Sequence, residues 1–289
     1  MPKITVIFKL LRPSQWVKNL VIFTGLIFSA NFTNIIMLLK SVSAFIIFCV
    51  LSSSCYVIND IFDRESDKRH PQKKTRPLAS GEISNLKALS LAFILALFSL
   101  GISFLLDVHF GFTSLAYFLL IFLYSSSLKS FAIVDVIVVS LGFVLRAIAG
   151  GVVIKVWVSP WLLLCSFLLA LFLVLGKRRY ELVTLEQEAL WHNRAFGRYT
   201  QGLLDQLLHI VASSTVIAYS LYTFTAKTSV IGPSTMLTIP FVIFGIFRYL
   251  TLVHAGQGGR PELILIKDKP LIINIILWIS VILFLIYRS

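Results

Sequence analysis

Asn59, Asp60, Asp63 and Asp67 form the pattern N-D-x-x-D-x-x-x-D within the stretch NDIFDRESDKRHPQKKTRPLASG, residues 59–81. An uncharged apolar run precedes it. If the helix expected for that run continues, Asp60, Asp63 and Asp67 fall at i, i+3 and i+7, on one face. Carboxylates gathered this way repel unless positive charge lies between them. A hard divalent cation such as Mg²⁺, which takes oxygen ligands and is often shared with substrate phosphates, suits that gap. Directly behind come Lys68, Arg69, Lys73, Lys74 and Arg76, cations able to hold phosphate oxygens. A basic loop alone would only set membrane topology. Acid spacing at a membrane edge points instead to a metal–phosphate site.

A second charged set, Lys177-Arg178-Arg179-Tyr180-Glu181, puts Lys177 and Glu181 one helical turn apart. It is either a basic juxtamembrane anchor or a phosphate clamp facing the first motif. Arg146 sits inside an apolar run, where a guanidinium must face a polar cavity or a buried partner, Asp135 being one candidate. Arg248 is close enough to a helix end to snorkel. His209 has no evident partner, and His70, His192 and His254 lack zinc-ligand spacing. P-loop, nucleophile-elbow and dinucleotide-binding motifs are absent. Gly256-Gln257-Gly258-Gly259 reads as a flexible turn, a hinge for a lid.

The elements that must position these residues are membrane helices. The chain has 289 residues, 57% of them hydrophobic, and a mean hydropathy of +0.89. Runs of ~20 apolar residues, the length that crosses a bilayer, recur along it. The net charge of +13 would suit a nucleic-acid binder, but its placement excludes that class. All but six of the 26 Lys and Arg lie at the N-terminus or in alternate loops. Lys40, Lys155, Lys227 and Arg288 fall on the opposite side, and Arg146 and Arg248 within spans. This bias puts the basic loops in the cytoplasm. Cys49, Cys55 and Cys165 all lie in apolar runs and read as small packing residues.

The expected organisation is one integral-membrane domain over 1–289, an all-α polytopic bundle of nine transmembrane helices around a central cavity. Residues 1–18, with Trp16 among Lys3, Lys9, Arg12 and Lys18, form an interfacial lead-in. The spans are expected near 19–39, 41–58, 88–106, 110–128, 134–154, 156–176, 206–226, 228–250 and 271–287. The polar run Asn31-Phe32-Thr33-Asn34 weakens the first of these. Gly150-Gly151 in the fifth permits close packing. Leu182, Leu185 and Leu190 among Glu181, Glu186 and Glu188 suggest a membrane-surface helix. The cytoplasmic segments 59–87, 177–205 and 254–270 carry the motifs, with the N-terminus inside and the C-terminus outside.

With these motifs in place, the chain resembles the UbiA-type membrane prenyltransferase superfamily. The resemblance rests on Asn59-Asp60-x-x-Asp63-x-x-x-Asp67 with Arg76-Pro77 and Gly81. It is supported by Tyr124-Ser125, Leu128-Lys129, Asp135 and Arg146-Ala147-x-Ala149-Gly150. One departure stands out. The superfamily's second acidic motif, D-x-x-x-D, is here Lys177-x-x-x-Glu181. That pattern is similar to the decaprenyl-phosphate phosphoribosyltransferase subgroup. So are Arg12-Pro13-x-Gln15-Trp16-Val17-Lys18-Asn19, Asp67-x-x-His70-Pro71, Gly176-Lys177-Arg178-x-Tyr180-Glu181, Pro261-Glu262 and Asp268-Lys269-Pro270.

The resemblance implies transfer of 5-phosphoribose from phosphoribosyl diphosphate to a polyprenyl phosphate in the bacterial cytoplasmic membrane, for cell-envelope glycan synthesis. In that reading Asn59, Asp60, Asp63 and Asp67 hold Mg²⁺ on the donor diphosphate. Lys73, Arg76, Lys177 and Arg178 are the first candidates for phosphate contacts, followed by Lys18, Asn19, Lys129, Arg146, Tyr180 and Glu181. The heavy cation load agrees with two polyanionic substrates. A conventional prenyltransferase with a prenyl diphosphate donor is the alternative. A transporter is a third, disfavoured because acids along a transmembrane path are missing.

Overall fold

The computed structural model describes residues 4–185, 197–225 and 233–288, and among them there are helices and no strands. A short helix α1 (Ile4–Leu11) leads into a 3-10 helix, Pro13–Phe23, continued by α2 (Thr24–Phe28). Helix α3 (Ile35–Phe62) follows, then α4 (Arg64–Arg69), α5 (Asn85–Leu106), α6 (Val108–Ser126) and α7 (Val134–Val153). The remainder is α8 (Pro160–Leu185), α9 (Gln201–Thr225), α10 (Ile239–His254), α11 (Pro261–Lys267) and α12 (Lys269–Arg288). Seven described helices are long and apolar enough to cross a membrane, or eight if α11 and α12, bent by 79°, count as one broken span. The membrane-surface helix expected through Leu190 falls largely outside the described residues, which carry α8 to Leu185.

The expected first span, 19–39, is not one helix. The polar run divides it: Asn31 Nδ2 donates to the Ser29 carbonyl at 2.9 Å, and Ala30 adopts φ 55°. The Asn34 side chain then accepts from the Ile36 and Met37 amides, capping α3. Short polar side chains compete in this way with the helical backbone and restart it as caps. Helix α3 is therefore long, running from this cap to the acidic motif. Asp107 does a similar job between α5 and α6, ending one helix and capping the next through the Phe110 amide.

Small residues draw the helices together. Ala88, Ala92, Ala96, Ser99 and Ser103 line the buried side of α5, and Ser54 of α3 donates to the Ala92 carbonyl at 2.7 Å. A β-carbon on Gly150 would lie 1.9 Å from the Ile22 carbonyl oxygen, so only glycine lets α7 take the Pro13–Phe28 segment so close. Large apolar side chains along α3, α5 and α10, such as Ile46, Phe98 and Phe247, point outward. That is the surface a bilayer would cover, and the protein is an integral membrane protein.

Candidate active site

One end of the bundle holds a cavity of about 1070 Å³ whose walls bring together all three charged segments. On the first wall the acidic motif follows a nearly unbroken helical path. The Asp63 amide donates to the Asn59 carbonyl, and the Asp67 amide to the Asp63 carbonyl. The buried Asp60 and Asp67 share one arginine: Arg76 Nη1 donates to Asp67 Oδ2 at 2.6 Å and to Asp60 Oδ1 at 3.1 Å. Arg12 also pairs with Asp60. Burial pushes the Asp67 carboxyl above its ordinary range, and Arg76 only partly opposes this. Asp63 lies apart from them and receives Lys129 Nζ at 2.5 Å and Asn59 Nδ2 at 2.8 Å. The positive charge between the carboxylates is thus supplied largely by the chain's own side chains.

Asn59 and Asp63 line the cavity, whereas Asp60 and Asp67 do not. The Asn59 Oδ1 atom is buried and has no hydrogen-bond partner. An orphaned amide oxygen beside a cavity-lining carboxylate is a donor pair of the kind Mg²⁺ accepts, with ligand phosphates completing its shell. Among the described residues no three His, Cys, Asp or Glu side chains gather as a metal-holding group. The residues fit a metal shared with an anionic ligand rather than one caged by protein alone.

The facing wall is built from α6, α7 and α8. Arg178 Nε donates to Asp135 Oδ2 at 2.8 Å, Nη1 to Glu181 Oε2 at 2.7 Å, and Nη2 to the Tyr124 hydroxyl at 3.2 Å. The Tyr199 hydroxyl donates to the other Asp135 oxygen at 2.7 Å. Lys177 lies 3.7 Å from Glu181. Glu181 is therefore tied between two cations. Asp135 pairs with Arg178 and Tyr199, not with Arg146.

The third segment completes the lining. A β-carbon on Gly259 would fall 2.4 Å from the Tyr180 ring, so the glycine run lies directly against α8. Beyond it, Glu262 accepts from Gln15 Nε2 at 2.6 Å and sits 3.9 Å from Lys18 Nζ. Lys73 also lines this space. Burial lowers its ammonium from 10.5 to about 8, with Glu181 acting in the opposite direction. Arg12, Tyr124, Asp135 and Glu262 were not among the expected site residues. All four belong to motifs of the family resemblance, and the partners of Arg12 and Glu262 lie 48 and 247 residues away.

Deeper in, Arg146 is 4% exposed and is held by neutral groups. Its Nε donates to Asn19 Oδ1 at 2.7 Å, Nη1 to the Gly142 carbonyl at 2.9 Å, and Nη2 to the Tyr117 hydroxyl at 2.7 Å. The guanidinium also lies over the Tyr117 and Phe143 rings, 4.6 and 5.2 Å from their centroids. Charge at mid-membrane costs roughly 2.5–3.5 kcal/mol on insertion scales, which such a nest offsets.

These features define an α-helical integral membrane protein with a polyanion-sized, cation-lined cavity behind an acidic motif. Residues 20–263 match the UbiA prenyltransferase family, and the chain belongs to that family. It is 34% identical to the decaprenyl-phosphate phosphoribosyltransferase of Mycolicibacterium smegmatis, over 98% of this chain and 93% of that one. The enzyme of the same name from Corynebacterium glutamicum is 33% identical, over 96% of this chain and 86% of the relative. The fold is similar to that of a UbiA homolog from Archaeoglobus fulgidus bound to GPP and Mg²⁺. That match has a TM-score of 0.74 and 21% identity, over 98% of this chain and 99% of that one.

Proposed function

We propose that the protein transfers 5-phosphoribose from phosphoribosyl diphosphate to a polyprenyl phosphate on the cytoplasmic side of the bacterial inner membrane. The observation that carries this reading is the cavity's second wall. Where a D-x-x-x-D motif would offer carboxylates to a second metal, Lys177 and Arg178 enclose Glu181. The names of the relatives agree with it. An acceptor phosphate is already anionic at pH 7 and needs no general base. Its oxygen forms the new bond to the anomeric carbon as the bond to the diphosphate breaks, and the electron pair leaves with diphosphate. In this reading Arg76, Lys73 and Lys129 would stabilise the departing negative charge, and Lys177, Arg178 and Tyr180, which line the same cavity, would hold the other phosphate. Mg²⁺ held by Asn59 and Asp63 would neutralise charge on the donor diphosphate. Asp60 and Asp67, occupied by arginines, orient those cations in this reading.

A bundle of nine crossings is part of the proposal. The Pro13–Phe28 segment rises roughly 30 Å if its 3-10 part extends 2 Å per residue, enough for the hydrocarbon core. With the eight candidate spans it makes nine and leaves the charged cavity facing the cytoplasm. Product formation for cell-envelope glycans belongs to the same reading.

The test uses purified protein, Mg²⁺, polyprenyl phosphate and phosphoribosyl diphosphate labelled in the ribose. Label should enter the organic phase, and EDTA should abolish the transfer. Folded protein that moves no label, yet converts a prenyl diphosphate and an aromatic acceptor, would establish the alternative. That reading is favoured by the family's name and by GPP in the A. fulgidus homolog.

A further inference from the structure

The geometry points to Arg146 as the base of a metal-free subsite for a phosphate monoester, separate from the diphosphate site at the acidic motif. Arg146 lies eleven residues along α7 from Asp135, roughly 16 Å deeper at helical rise. A guanidinium has five N–H donors, and the hydrogen bonds to Asn19, Gly142 and Tyr117 use three. All three acceptors are neutral. The single acid on α7, Asp135, is taken by Arg178. Among the described residues Arg146 is therefore a buried cation without a carboxylate counter-ion, and it helps to line the cavity. Its neighbours fix its plane without cancelling its charge, which is the state in which an anion binds most strongly.

The carboxylates that line the cavity, Asp63, Glu181, Glu262 and Asp268, are paired with Lys129, Arg178, Lys18 and Arg248, and none of them pairs with Arg146. An anion at Arg146 must bind without a metal, which suits a monoester better than a diphosphate. Lys18, which also lines the cavity, adds positive charge nearby, shared with Glu262. Two monoesters could arrive: the 5-phosphate of the donor, or the phosphate of the lipid acceptor. The subsite rests on the proposed phosphoribosyl transfer only for this choice of source.

The experiment titrates full-length protein in detergent with ribose 5-phosphate, with a short-chain polyprenyl phosphate, and with diphosphate plus Mg²⁺. Arg146→Gln should weaken one of the two monoesters by about tenfold to a hundredfold, with diphosphate–Mg²⁺ affinity unchanged. Loss of ribose 5-phosphate assigns the subsite to the donor, and loss of the lipid phosphate assigns it to the acceptor. EDTA should not alter the affected monoester, and Arg146→Lys should recover part of its binding. Equal monoester affinity in folded Arg146→Gln, or loss confined to diphosphate, overturns the inference. If Arg146→Gln cannot be purified, Tyr117→Phe keeps the cation and removes one bond that aims it. It should weaken the same monoester about two- to tenfold, and no change there overturns the inference as well. Failure of the transfer reading is seen separately, as wild-type protein that binds a monoester through Arg146 yet transfers no label.

Discussion

The acidic motif divides its labour among residues that look equivalent. Asp60 and Asp67 are buried against Arg12 and Arg76, while Asp63 and the unpartnered Asn59 oxygen border the cavity. Asp63→Asn should therefore raise the Mg²⁺ concentration needed for half-maximal turnover. Asp60→Asn should lower kcat/KM with that requirement little changed; a Mg²⁺ titration of each variant separates the two roles. Lys73 gives a second handle. Its ammonium titrates at about 8 when buried, against 10.5 in the unfolded chain. Between those values the unfolded chain binds more protons, so Lys73 makes ligand-free protein more stable as pH rises. Ligand binding runs the other way, because the charge that attracts phosphate is lost through the same pH. The KM for phosphoribosyl diphosphate should climb as pH passes about 8. Lys73→Arg, which stays charged, should flatten that climb.

At the scale of elements, the site depends on how closely α7 meets the Pro13–Phe28 segment. Gly150 brings the Ile22 carbonyl against α7, and the same contact carries Asn19 to Arg146. Gly150→Ala should force the two elements apart. A loss of about 1–3 kcal/mol is expected from overpacking, read as a lower thermal midpoint in detergent together with reduced activity. The bent α11–α12 pair is set by a different device, Arg248 holding Asp268 through two hydrogen bonds of 3.1 and 2.8 Å. Arg248, expected to reach toward the helix end, has a defined partner in Asp268.

For the whole molecule, the proposed orientation rests on the separation of charge. Basic residues crowd the end that carries the cavity, and the opposite end has few. Lys74 and Lys155 are both exposed and belong to opposite ends in this scheme. A cysteine placed at Lys74 should react with a membrane-impermeant thiol reagent only in inside-out vesicles, and one at Lys155 only in intact cells. The reverse pattern would turn the cavity away from the cytoplasm and remove access to a soluble phosphoribosyl donor.

Much of this protein can be read in its residues alone. Apolar run length, the charge bias and the spacing of Asn59, Asp60, Asp63 and Asp67 are local or statistical properties, and they identified a helical membrane protein and singled out the acidic motif as its candidate site. Arg146 announced itself because a cation in an apolar run needs a reason. Its partners did not, nor did the pairing of Arg12 with Asp60, of Asp135 with Arg178 and Tyr199, or of Glu262 with Gln15. Each joins elements far apart in the chain, and the energy of such a pair depends on distance and burial, which the order of residues does not contain. The broken first span was half visible, since the polar run marked a weak point. Its 3-10 path lies against Gly150, a contact between distant parts of the chain that only the assembled bundle could decide.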